Sequence, residues 1–427
     1  MSDYTFPSQV NYTEQAGSLP KDVKCLNICT QPSNGQSFGP SSQIYLDLVS
    51  GRGYLDPQSV YISYTLSLTN AAATQMIGTP VYTPFNRVAV DIGSQQIDQI
   101  SSYNVVMNTL TNCNMSVAEK YGVQSAYGYN DNTTVPSLEQ LDGRLCAINE
   151  VISLSAPLLT VISASEKLWP LWSMGSVRLT LTLEAISNMF NSTVAVPTNY
   201  VMSNIQLRYK VIDFGNEVNQ AVRAANPNGL VIKTQSFASG SQVLQGGSNG
   251  SFNLLYNLKY SSIKALVAVN GNGAAASNRQ YDSIDLCSTT TGTDYQFSVG
   301  GEVFPPTAIS TRNNKAGALM ELRSCFGSIF DKSNASSINS VEFNWVGGTA
   351  AATTYQAMGK LYIGTSTEKM VNSESLLSGI SSTDTPIEYK INTSASIGAN
   401  NSTVTLIACY DALIVVDTET KQVQIKT

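Results

Sequence analysis

The chain has 427 residues, only 13% of them charged, a net charge of −6 and no histidine at all. Lack of histidine excludes Ser-His-Asp and Cys-His catalysis, His-ligated zinc and the commonest general base near neutral pH. A pI near 4.9 without any Lys/Arg cluster or basic arm argues against gripping nucleic acid by its phosphates, and no stretch approaches the run of about 20 apolar residues that spans a bilayer.

Ser, Thr, Asn and Gln replace the missing charge, against about 25% charged residues in an average protein. Short neutral polar groups cost less to desolvate than Lys or Glu, and interface cores are depleted in charge. Two readings therefore stand side by side: walls buried against sister subunits, or a sandwich whose outer strand faces are simply Ser/Thr-rich. The start, Met1-Ser2-Asp3-Tyr4-Thr5, has neither a basic leader nor an apolar block, so synthesis and residence inside a cell are expected. Seven cysteines, an odd number, then read as reduced thiols. Cys25 and Cys29 supply two metal ligands where a closed zinc site needs about four, so no metal is expected. The triplets Asn132-Thr133-Thr134 and Asn191-Ser192-Thr193 follow from composition and carry no expectation of glycosylation.

In chain order, residues 1–40 are rich in Pro, Gly, Ser and Asn and read as an extended arm that a neighbouring subunit would order. A strand follows at 43–49, and from Val60 to Thr69 strict alternation sets Val60, Ile62, Tyr64, Leu66 and Leu68 on one face. After a strand at 86–92, Tyr103, Val106, Met107 and Leu110 form a helical stripe within 101–113, which predicts a short surface helix capping a sandwich. Alternation returns from Val177 to Glu184 and from Ile205 to Val211. Burial on one side only marks antiparallel sheets. A brief helix at 215–224 is stopped by Asn226-Pro227-Asn228-Gly229. Beyond it strands are legible at 230–237, 252–258, 261–269, 355–363, 386–393, 402–410 and 412–417, with a second helix at 315–326 carrying Leu319, Leu322 and Phe326. The run Gly246-Gly247-Ser248-Asn249-Gly250 reads as a hairpin turn and not a phosphate loop.

The halves match each other. Gly93 and Gly300 each lead from a strand toward a helix and stand 207 residues apart; the strands starting at Val177 and Ile387 are offset by 210, and those at Ile205 and Val404 by 199. Three elements in the same order at an offset near 200 predict two copies of a β-domain, each with room for about eight strands, the size of a jelly roll. The fold expected is all-β: two tandem eight-stranded jelly-roll sandwiches with a few short helices. Its divisions are an arm at 1–40, a first roll at 41–214, a linker at 215–229 and a second roll at 230–427.

No Gly-x4-Gly-Lys loop, dinucleotide fingerprint or Gly-x-Ser-x-Gly elbow is present. The remaining enzymatic reading, a jelly-roll glycosidase, needs two facing carboxylates. Glu184 and Glu388 lie on matched strands, but separate domains hold them apart, and Glu184 continues a polar strand face as solvated surface. The 21 tyrosines read as strand and interface residues rather than a sugar platform. No catalytic, cofactor-binding or metal residue is assigned, no cofactor is expected, and the chain is read as a non-enzyme.

Particular segments resemble the major capsid proteins of the tectivirus-adenovirus lineage, nearest to those of virophages, Polintons, adintoviruses and polinton-like viruses. Ser50-Gly51-Arg52-Gly53-Tyr54-Leu55-Asp56-Pro57 is similar to that family's opening strand pair, and Leu168-Trp169-Pro170-Leu171 resembles the entry to a late strand of its first roll. Tyr260-Ser261-Ser262-Ile263-Lys264, Val299-Gly300-Gly301-Glu302-Val303-Phe304-Pro305-Pro306, Leu376-Leu377-Ser378-Gly379-Ile380 and Tyr410-Asp411-Ala412-Leu413-Ile414-Val415 resemble parts of its second. The resemblance spans residues 40–427. It implies a virion protein assembled inside the host cell, with two upright rolls per subunit. Three subunits would make a pseudo-hexameric capsomer that meets neighbouring capsomers and, as further partners, penton and minor or cement proteins. The chain is short for that family, so outer towers should be small and a receptor-binding role is in doubt. A minor vertex or spike protein, and a cellular carbohydrate-binding β-sandwich, are the alternatives.

Overall fold

Alternating segments become strands wherever a second sheet covers their apolar face. The structure, a computed structural model, describes residues 23–129, 142–191, 196–271, 281–286, 293–327, 336–343, 359–370, 377–393, 397 and 401–426. Among the described residues, sixteen strands form two matched sets of eight, and the short strands Ser37–Phe38, Tyr54–Leu55 and Val423–Lys426 pair alongside them. The first holds β1 (Lys24–Thr30), β2 (Gln43–Leu48), β3 (Tyr61–Thr69), β4 (Phe85–Ile92), β5 (Gln95–Ile100), β6 (Val151–Pro157), β7 (Val177–Leu183) and β8 (Asn199–Asp213). The second holds β9 (Leu230–Leu244), β10 (Gly250–Tyr256), β11 (Ile263–Asn270), β12 (Thr293–Val299), β13 (Glu302–Ser310), β14 (Ile363–Ser366), β15 (Ile387–Thr393) and β16 (Ser402–Val416).

Strand order settles the duplication. The first sandwich pairs β1-β8-β3-β6 against β2-β7-β4-β5; the second pairs β9-β16-β11-β14 against β10-β15-β12-β13, the same order with eight added throughout. That order, with consecutive strands alternating between sheets except at the β4–β5 and β12–β13 hairpins, is a jelly roll. All strand pairs are antiparallel. In β3 the alternation is realised as Ile62, Tyr64, Leu66 and Leu68, all buried, against half-buried Ser63, Thr65 and Ser67. Each buried Leu or Ile contributes about 1.5–3 kcal/mol. The β4–β5 turn needs Gly93 at φ +64°, and the β12–β13 turn places Gly300 at φ +59° and Gly301 at +86°, so the glycines matched in the sequence occupy the same corner.

Helix α1 (Tyr103–Asn114) follows β5, and α2 (Val117–Gly122) comes next; α3 (Asn216–Ala225) joins the sandwiches, and α4 (Lys315–Ser324) follows β13 as α1 follows β5. Several expectations need correction. Residues 24–30, assigned to the extended arm, form β1, whose backbone pairs with Leu207 to Asp213; only Leu26 and Ile28 mark its inner face, too few for the alternation to declare itself. Residues 1–22 lie outside the described residues. Helix α1 is not on the surface: Tyr103 through Cys113 are all buried, because the second sandwich covers its polar side. The 246–250 turn joins β9 to β10, which lie in different sheets, so it is not a hairpin. The strands read at 402–410 and 412–417 are one, β16; of the strand expected at 355–363, residues 355–358 lie outside the described residues and, of the rest, only Ile363 belongs to a strand, β14.

The segments that carried the family resemblance meet in pairs. Leu55 and Trp169 exchange both backbone hydrogen bonds, at 2.8 and 3.0 Å, and Ile263 and Ile380 do the same at 2.8 and 2.9 Å. Leu55 lies opposite Val211 and Ile263 opposite Tyr410, so the two bridges occupy one position in the two rolls.

Candidate functional site: the joint between the rolls and the outer walls

Glu184, expected on solvated surface, is 4% exposed and accepts hydrogen bonds from Asn104 Nδ2 at 2.9 Å, Asn188 Nδ2 at 3.0 Å and the Ala185 amide at 2.9 Å. The strand face ends at Leu183, one residue earlier, so alternation no longer governs it. Glu388 belongs to the other roll and sits 3.3 Å from Lys390. Burial pushes the Cys113 and Cys146 thiols up to about 12, which leaves them inert as nucleophiles. Cys25 and Cys29 are exposed on β1, and among the described residues no three potential ligands cluster. Many tyrosines serve the core instead of an interface: Tyr64, Tyr82 and Tyr200 are buried and donate to the carbonyls of Val81, Pro157 and Glu184. The Asn132 triplet and Cys287 lie outside the described residues, as do Ser192 and Thr193 of the Asn191 triplet.

What the polar residues build is a joint. Asp98, on β5 at the edge of the first roll, is 4% exposed. It accepts from Ser236 Oγ on β9 at 2.9 Å, Tyr410 Oη on β16 at 3.2 Å and the Val161 amide at 3.0 Å. Thr234 Oγ1 donates to the Val161 carbonyl at 2.6 Å, and Ser239 Oγ to the Ser101 carbonyl at 2.5 Å. Burial pushes the Asp98 carboxyl above its ordinary range, against the hydrogen bonds from Ser236, Val161 and Tyr410. The edge of one sheet is thus closed by the face of another, which removes an unpaired strand edge.

A second contact, fully ionic, lies beside α1. Lys360 Nζ is 2.7 Å from Asp142 and 2.9 Å from Glu342, and Lys120 Nζ on α2 is 3.9 Å from Asp142, with all four side chains at most 7% exposed. Lys120 and Asp142 come from the first roll, Lys360 and Glu342 from the second. Two positive and two negative groups balance. Burial, then the Lys360 ammonium, pushes Lys120 down to about 7 against the pull of Asp142 and Glu342. Burial opposes the charge on Lys360 too, but Asp142 and Glu342 together outweigh it and hold its pKa above the usual lysine value. Asn112 knits the site: its Oδ1 accepts from Lys120, its Nδ2 donates to Tyr362 Oη at 3.0 Å, and its carbonyl accepts from the Ser337 amide at 3.1 Å. No local pattern announces these residues, since they come from four separated stretches.

The outer walls are neutral and partly apolar. Val151, Val243, Ile148 and Leu255 are 64, 62, 57 and 50% exposed. Val243 and Leu255 lie together, Gln242 reaching the Leu255 carbonyl at 3.1 Å, while Ile148 and Val151 flank the outer edge at β6.

No family model and no curated sequence matches the chain. Solved structures do. The Faustovirus major capsid protein superposes with a TM-score of 0.65 at 10% identity, over 94% of this chain and 92% of that one. PBCV-1 VP54, as fitted into a reconstruction of the virophage Sputnik, gives 0.63 at 9% identity over 97% and 99%, and the mavirus major capsid protein 0.53 at 10% over 100% and 95%. The chain has the double-jelly-roll fold of those capsid proteins. Within this double jelly roll the Asp98 contact and the ionic cluster are where roll meets roll, and no helix among the described residues is long and apolar enough to cross a membrane.

Proposed function

We propose that this double jelly roll is the major capsid protein of an icosahedral DNA virus, a structural subunit and not an enzyme. One observation carries the reading: two rolls of identical strand order are locked edge to face into one block, at the full length of known capsid subunits. Residues 215–229 act as the connector between the rolls. Three copies present six similar rolls and so fill a hexagonal position of a shell, with penton and minor or cement proteins filling the rest. The protein works in the virion and is put together inside the host cell. Charge-poor walls suit obligate contacts, which exceed about 2,000 Å² per pair. Native mass spectrometry tests this: a stable trimer at three times 45.7 kDa, about 137 kDa, is expected. A pentamer points to a vertex or spike protein, and a glycan-binding monomer to a carbohydrate-binding sandwich; either result overturns the proposal.

A further inference from the structure

The duplicated register lets the contact inside the chain be written out for the contact between chains. Leu26 is opposite Val211 in the first roll as Ser236 is opposite Tyr410 in the second, and Val211 and Tyr410 are equivalent through the Leu55 and Ile263 pairings. Leu26 therefore occupies the position of Ser236. At the sheet edge, Asp98 pairs with Val90 two residues before the end of β4, and Phe304 pairs with Phe297 two residues before the end of β12. Phe304 therefore occupies the position of Asp98.

Within the chain, Asp98 meets Ser236 at 2.9 Å, both buried. Their counterparts are both half-buried in the single chain, and both have changed from polar to apolar. An edge carrying carboxylate against hydroxyl has become an edge carrying a phenyl ring against a leucine, so complementarity survives on each side of the exchange. Flanking residues follow suit: Val303 is 38% exposed and Pro306 is exposed beside Phe304, and Ile28 is half-buried beside Leu26. Val211 itself is covered by the loop at Gly53, which leaves half-buried Leu26 as the face on offer, beside Ile28, which packs partly on the core.

We infer that the β13 edge around Phe304 docks on the inner face of β1 at Leu26 and Ile28 of the next copy, repeating between chains the edge-to-face contact that joins the two rolls within one. Such a contact is heterologous, and it closes into a ring when the rotation per step allows; alternating polar intrachain and apolar interchain joints fix which rolls are partners. The inference rests on the trimer reading above and adds its interface.

The test uses the full chain. With wild type trimeric, Leu26→Asp is expected to give folded monomer in native mass spectrometry, with its circular dichroism unchanged, whereas Val151→Asp, on the opposite edge of the same sheet, stays trimeric. In a Cys25→Ser, Cys29→Ser background, Leu26→Cys combined with Phe304→Cys is expected to oxidise into dimers and trimers on a non-reducing gel, and neither single cysteine to do so. A trimer that tolerates Leu26→Asp and leaves the cysteine pair unlinked overturns the interface, as does dissociation by Val151→Asp in place of Leu26→Asp. A monomeric wild type instead removes the trimer reading on which it stands.

Discussion

Lys360→Met is expected to lower the unfolding free energy by about 3–5 kcal/mol, the cost of leaving buried charge without its partner. The ammonium is shared by Asp142 and Glu342 at 2.7 and 2.9 Å in a buried site, and its loss leaves both buried carboxylates without that cation, Lys120 standing 3.9 Å from Asp142. Lys120→Met is expected to cost far less at pH 7, about 1 kcal/mol for its bond to Asn112, because its own charge is already disfavoured. The sign with pH follows. A lysine held at about 7 in the fold against 10.5 when unfolded binds fewer protons folded than unfolded between those values, so its cost is fully present below about pH 7 and is relieved as pH rises. Wild-type stability should gain up to about 1.4 kcal/mol per pH unit from this group between pH 7 and 9, and Lys120→Met should abolish that slope. Urea denaturation midpoints at pH 7, 8 and 9 measure both effects; equal losses in the two variants, or a slope that survives Lys120→Met, contradict the assignment.

Trp169→Ala should be comparably severe, about 3–5 kcal/mol, as expected for emptying a buried aromatic site. Trp169 is fully buried, and its backbone is paired with Leu55 in both directions. That pairing ties the loop from Gly51 to Asp56 over β8, where Gly53 lies so close to Val211 and Ile212 that a Cβ would collide, and emptying the ring's site beneath its anchor is expected to loosen it. Denaturation is expected to shift while the ionic joint stays intact, so the pH slope from Lys120 persists in this variant. A loss below about 1 kcal/mol would mean that the site collapses around the cavity and that the loop is held by other contacts.

Strand content and the duplication were legible because both rest on local signals: period-two alternation in β3, β7 and β8, and glycines with positive φ at corresponding turns. The resemblance segments were legible for a related reason, since Leu55 with Trp169 and Ile263 with Ile380 are the points where loops are tied to the sandwiches. What stayed hidden is what the two rolls do to each other. Lys120, Asp142, Glu342 and Lys360 sit in unremarkable polar contexts and become a cluster only when the rolls dock. Asp98 follows a break in register between Val90 and Asp91, so its face cannot be counted from the strand's start. Helix α1 shows an amphipathic stripe but is buried all round, because Tyr362 and the Ser336–Ser337 segment meet its polar side. Edge strand β1 offers two inner apolar residues and was absorbed into the polar segment before it.

Electron microscopy of the purified protein tests the central claim most directly, that two rolls of one topology make each subunit two-sixths of a hexagonal block. End-on class averages are expected to show six lobes of similar size in a ring, alternating between the two rolls. Averages with five lobes, or single two-lobed particles that never close into a ring, would contradict it.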